Sequence, residues 1–111
     1  MENEINVWLE DIKQAIEEII SFLPKKRIYP EFKKDLKGKR AIERNLEIIG
    51  EAVNRILKAE PNFPITNARK IVDTRNRISH GYDTVSDDII WAIIVQDLDK
   101  LQAEIKMALK E

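Results

Sequence analysis

Cysteine is absent from the 111 residues and histidine occurs once. The first absence excludes a disulfide framework and any thiolate metal site. The second leaves a histidine-based zinc site within one copy of the chain short of ligands. Glycine occurs three times and proline four times, which leaves little room for hairpin turns. No strand-like alternation, internal repeat or low-complexity tract is present. No apolar run approaches the ~20 residues needed to span a bilayer. Glu2, Asn3 and Glu4 open the chain without the basic region and apolar run of a signal peptide. These absences predict a soluble, cytoplasmic protein that uses no metal and no cofactor. The length fits a single domain, residues 1–111, with one hydrophobic core and not two.

What the chain does contain is charge and helical periodicity. Charged residues make up 35% of it, a composition that suits long solvated helices. Four helical segments are legible. Ile5, Trp8, Leu9, Ile12, Ala15, Ile16, Ile19, Ile20 and Leu23 give the first, about Glu4 to Leu23, with Pro24 as its stop. A second runs from about Glu31 to Ala59 through Phe32, Leu36, Ile42, Leu46, Ile49, Val53, Ile56 and Leu57. Gly38 is a candidate interruption of it. Gly50, inside it, costs about 1 kcal/mol against alanine and predicts a close helix crossing. The third segment spans about Ile65 to His80, with Ala68, Ile71 and Val72 as its apolar face and Gly81 as a C-terminal cap. The fourth starts at an N-cap, Ser86, with Asp87 and Asp88 in its first turn and Ile90, Ile94, Leu98, Leu101, Ile105 and Ala108 along its stripe. The fold predicted is all-α, an antiparallel bundle of four to five helices.

Charge is unevenly spread although the net value is −1. Residues 1–24 hold six acids and one base. Residues 25–40 hold eight bases (Lys25, Lys26, Arg27, Lys33, Lys34, Lys37, Lys39, Arg40) against Glu31 and Asp35. Such a segment is either a solvated surface or an attractor of polyanions, with Lys33, Lys34 and Lys37 as candidate RNA contacts.

The densest chemistry is Arg75-Asn76-Arg77-Ile78-Ser79-His80-Gly81-Tyr82. A permanent cation, an amide, an imidazole and a phenol fall within one stretch. Together they can hold a phosphate, move a proton and offer a second hydroxyl or modification point. Arg75 and His80 are five residues apart, roughly 140° around a helix axis. One straight helix does not aim both at one phosphate, whereas two copies about a two-fold axis do. The spacing therefore predicts a homodimer with a composite cleft. The same residues also admit a plainer reading. His80 would then complement a helix C-terminus, Arg75 would pair with Asp73 or Asp83, and Tyr82 would be a core aromatic.

The string resembles the Arg-x-x-x-x-His-x-Tyr motif of HepT-like toxins in the HEPN superfamily of helical ribonucleases. The stretch Ala41-Ile42-Glu43-Arg44-Asn45-Leu46-Glu47-Ile48-Ile49-Gly50-Glu51-Ala52 resembles that branch's second-helix signature, and Trp91, Ile94, Asp97 and Leu101 its last helix. The chain departs from the pattern at Val72-Asp73-Thr74 and at Ile65. The resemblance implies the toxin component of a type II/VII-like toxin–antitoxin pair, a homodimeric ribonuclease that cuts RNA without a metal. It implies Arg75 on the scissile phosphate, His80 as general acid or base, and Asn76 orienting His80 or the phosphate. It further implies Tyr82 as the acceptor of AMP from a minimal nucleotidyltransferase antitoxin. The alternative from another class is a catalytically silent HEPN module that binds nucleotide, RNA or a nucleotidyltransferase.

Overall fold

The computed structural model describes residues 2–23, 27–79 and 87–111. The first helix, α1, is Glu2–Phe22, and a short α2 is Tyr29–Lys34. The long α3 is Leu36–Ala59, and α4 is Ala68–Ser79. The last rod begins as α5, Asp87–Ala92, passes through a π-helical turn, Ile93–Asp97, and continues as α6, Leu98–Ala108. The described residues are helical or looped, with no strand among them. The expected all-α bundle is the observed fold.

Helix α3 is the axis of assembly. It packs against α1 on one flank and α4 on another, while α6 closes on α1. The predicted stripes are what they bury. Leu9, Ile12, Ile16 and Ile19 of α1 meet Ile42, Ile49, Val53 and Ile56 of α3, and Ile90, Ile94, Leu98 and Ile105 complete the core. Full burial of one such side chain contributes about 1.5–3 kcal/mol, so the stripe accounts for most of the driving force. Trp8, Ile20 and Leu23 are only half-buried, at the edge of the predicted stripe. Ile65 and Val72, two of the departures from the family pattern, are buried and pack into the same core.

Two boundaries and one turn differ from the sequence reading. The second segment is two helices, broken at Asp35 and not at Gly38. The Asp35 carboxylate accepts from the Gly38 N–H at 3.0 Å and so starts α3, while Leu36 stays exposed. Helix α4 begins at Ala68 and not at Ile65, because Asn67 has a φ of 59°, outside any right-handed helix. Glu104 of α6 fixes the turn before it, accepting from the Thr66 N–H and from its hydroxyl at 2.8 Å. The π turn was not foreseen. Within it the Ile94 carbonyl accepts from Arg27 at 3.1 Å, and the buried Asp97 accepts from Asn67 at 3.1 Å and Lys70 at 2.8 Å. Helix α4 is thus held at its start by the last rod. The expected Ser86 cap and the Gly81 cap lie outside the described residues.

Candidate active site

Arg75 reaches its position because Gly50 has no side chain. A Cβ built on Gly50 would lie 2.1 Å from the Arg75 Cβ and 3.2 Å from the Ile71 carbonyl. The α3–α4 crossing predicted from this glycine is therefore real, and its contact point is the arginine of the motif. The aliphatic stem of Arg75 crosses the glycine, and its guanidinium reaches Glu51, the next residue of α3.

Among the described residues the guanidinium has two partners. One terminal nitrogen donates to the Asn76 side-chain oxygen at 2.8 Å, and the other forms an ion pair with Glu51. Glu51 also accepts from Arg55 Nε at 3.1 Å, one turn further along α3. The partner of Arg75 is thus Glu51, not the Asp73 of the plainer sequence reading; Asp83 lies outside the described residues. Arg75 keeps 28% of its side chain open.

Arg75, Glu51 and Arg55 border a cavity of about 270 Å³ between α1, α3 and α4. Trp8, Ile48 and Ala52 give it an apolar side. Arg44, Arg55 and Arg75 face Asp11, Glu47 and Glu51 around the rest. Three cations against three carboxylates leave no net positive charge, so the cavity does not attract a polyanion by its sum. What it offers is one well-held cation.

The sequence-predicted residues are not all together. Arg75 and Asn76 are side by side, with the Asn76 oxygen engaged by Arg75. His80 and Tyr82 lie outside the described residues. Lys33, Lys34 and Lys37 are exposed on α2 and the first turn of α3. Lys33 stands 6.0 Å from the Tyr29 ring centre. Lys37 is thirteen residues before Gly50 on α3, roughly 20 Å along the axis and about 140° around it. The basic segment is therefore a separate surface from the Arg75 cavity. Other cations of that segment are spent internally: Arg27 on Asp99, Lys39 on Asp87 and Arg40 on Glu43.

Glu51, Arg55 and Trp8 were missed by the sequence reading. A signal was present, since Arg40, Arg44, Glu47, Glu51 and Arg55 recur at three and four residues, one charged face running past Gly50.

A helical bundle that docks the arginine of an Arg-x-x-x-x-His-x-Tyr string over a glycine of its longest helix is a domain of the HEPN class. Within that class the chain belongs to the HepT-like ribonuclease family, whose model it matches over residues 12–108. It is 29% identical over 109 residues to a protein of Methanocaldococcus jannaschii provisionally named an RNase, covering 97% of this chain and 89% of that one. A similarly named protein of Caldanaerobacter subterraneus subsp. tengcongensis is 32% identical over 105 residues, covering 94% of this chain and 93% of that one. A protein of Thermococcus cleftensis, provisionally named ribonuclease HepT, is 32% identical over 101 residues, 87% of this chain and 88% of its own. No solved structure matches the chain.

Proposed function

We propose that this protein is a metal-independent endoribonuclease, the toxin of a HEPN–minimal nucleotidyltransferase pair, acting as a homodimer. The observation that carries the reading is the seating of Arg75. It is the first residue of the family motif, it is built into the fold through Gly50, and it opens onto a cavity with 28% of its side chain exposed. In the reaction the ribose 2′-oxygen attacks phosphorus and the P–O5′ bond breaks, giving a cyclic phosphate and a free 5′-hydroxyl. Arg75 stabilises the negative charge that builds on the phosphoryl oxygens. His80 takes the 2′-hydroxyl proton or returns one to O5′, work suited to a group that titrates near neutrality. The partner enzyme transfers AMP from ATP to Tyr82: the phenol oxygen bonds to the α-phosphorus, pyrophosphate leaves and the phenol proton is released, which adds an anion within the motif and silences the toxin.

The test is one set of strains and one assay. Expression of the wild type slows growth, and Arg75→Ala and His80→Ala each relieve it with helicity unchanged. Purified protein cleaves RNA in EDTA. Co-expression with a cognate nucleotidyltransferase raises the mass by AMP at Tyr82, and Tyr82→Phe keeps cleavage but escapes neutralisation. RNA binding without cleavage by folded wild type would instead support the silent module.

A further inference from the structure

We infer that Glu51 is a positioning residue of the site: it aims the Arg75 guanidinium at the scissile phosphate without touching substrate itself. The inference rests on the ribonuclease reading above. Its basis is the chain of contacts Arg55–Glu51–Arg75–Asn76. Arg55 Nε holds one Glu51 oxygen at 3.1 Å, the other oxygen pairs with Arg75, and Asn76 holds the second arm of the same guanidinium at 2.8 Å.

A free arginine side chain samples many rotamers, and its planar fork binds phosphate well only when presented in one orientation. Here both terminal nitrogens are held before substrate arrives. The stem is fixed against Gly50 from below. Glu51 follows Gly50 directly in α3, so the residue that admits Arg75 and the residue that orients it share one rigid element. The arrangement has an electrostatic cost. A carboxylate beside a phosphate-binding cation lowers its attraction for RNA. Orientation and attraction therefore pull in opposite directions, which makes the role measurable.

The experiment uses full-length protein and a fluorescein-labelled single-stranded RNA of mixed sequence. Single-turnover cleavage is measured at saturating protein for wild type, Glu51→Ala and Glu51→Gln. Affinity is measured for the same changes in a His80→Ala background, where the probe stays intact. Glu51→Ala is expected to bind the RNA equally well or more tightly, yet to cleave it at least about tenfold more slowly, the scale of a displaced catalytic group. Glu51→Gln, which still accepts a hydrogen bond from Arg75, is expected to recover most of that rate. A faster or unchanged rate in Glu51→Ala overturns the inference, because Glu51 would then restrain Arg75 or merely pair with it. Parallel loss of helicity, affinity and rate in both variants also overturns it, since that marks a structural role. A wild type that leaves the probe intact removes the ribonuclease reading, a different result from an active wild type indifferent to Glu51.

Discussion

At the scale of single residues, Gly50 decides where Arg75 stands. Gly50→Ala gains about 1 kcal/mol of helix propensity. It also drives a methyl group into the Arg75 stem and toward the Ile71 carbonyl, and α4 backbone does not yield as a flexible side chain would. Overpacking of that kind costs about 1–3 kcal/mol, so against the helix gain the net change is a destabilisation of up to about 2 kcal/mol. Urea unfolding should register it, and cleavage should fall further than stability, since the cation moves. A more stable Gly50→Ala with full activity would show that the crossing is loose. Gly50 was legible in the sequence as a helix-interior glycine, but its contact was not, because an interior glycine carries no address for the helix that crosses it. Tyr29 is a second case. Its hydroxyl donates to Asp88 at 2.5 Å, and that bond, with partial burial and the neighbouring carboxylates, pushes the phenol up to about 12. The folded value exceeds the ordinary value of 10.0, so the stabilisation is complete below that pH and is lost as pH climbs through the folded value. The stability gap between wild type and Tyr29→Phe should be constant near neutrality and narrow as pH rises from about 10 toward 12. A gap that held its size into that range would mean the hydroxyl has no such bond.

At the scale of helices, α2 joins the bundle through aromatic contact more than length. Phe32 meets Trp91 at 5.2 Å and Tyr29 meets it at 5.7 Å, so a six-residue helix is tied to α5. This leaves Lys33, Lys34 and Lys37 facing solvent while Lys39 and Arg27 turn inward. The run of bases is plain in the sequence. Which of them the fold consumes is not, because Asp87 and Asp99 lie far along the chain. The three open lysines are the ones suited to sequence-blind phosphate contact. Changing them together to Gln should weaken RNA binding and lower the steepness of log K against log salt by about 2, since each phosphate neutralised on a single strand adds roughly 0.7 to that slope. Cleavage at saturating protein should be little changed, as roughly 20 Å of α3 separates Lys37 from Gly50. An unaltered salt slope would assign the segment to plain solvated surface. The π turn shows the opposite limit of sequence reading. Ile93–Asp97 carries an ordinary helical stripe, and only the tertiary demands on Asp97 and the Ile94 carbonyl distinguish it.

At the scale of the whole molecule, periodicity gave the rods and the family motif points to the candidate site. Neither says whether one copy of the chain holds a complete site. The 13.0 kDa chain places Arg75 on a cavity whose charges cancel, and residues five apart on an ideal helix stand roughly 140° apart, the reason the proposed homodimer draws the imidazole for each arginine from the second copy. Subunit mixing separates the possibilities. Arg75→Ala and His80→Ala homodimers are each expected to be inactive. When the two are unfolded together and refolded, about half of the dimers are mixed by simple statistics of a two-fold assembly. In a composite arrangement each mixed dimer has one site that lacks both groups and one that retains both. Activity should return to about a quarter of the wild-type rate per protomer. If both groups of a site instead came from one chain, every site in the mixed dimer would lack one of them and no activity would return. Sedimentation of the same samples supplies the control, because recovery is expected only where a dimer of about twice the protomer mass is present. A strictly monomeric species that cleaves RNA would discard the shared cleft and require His80 to reach Arg75 within its own chain.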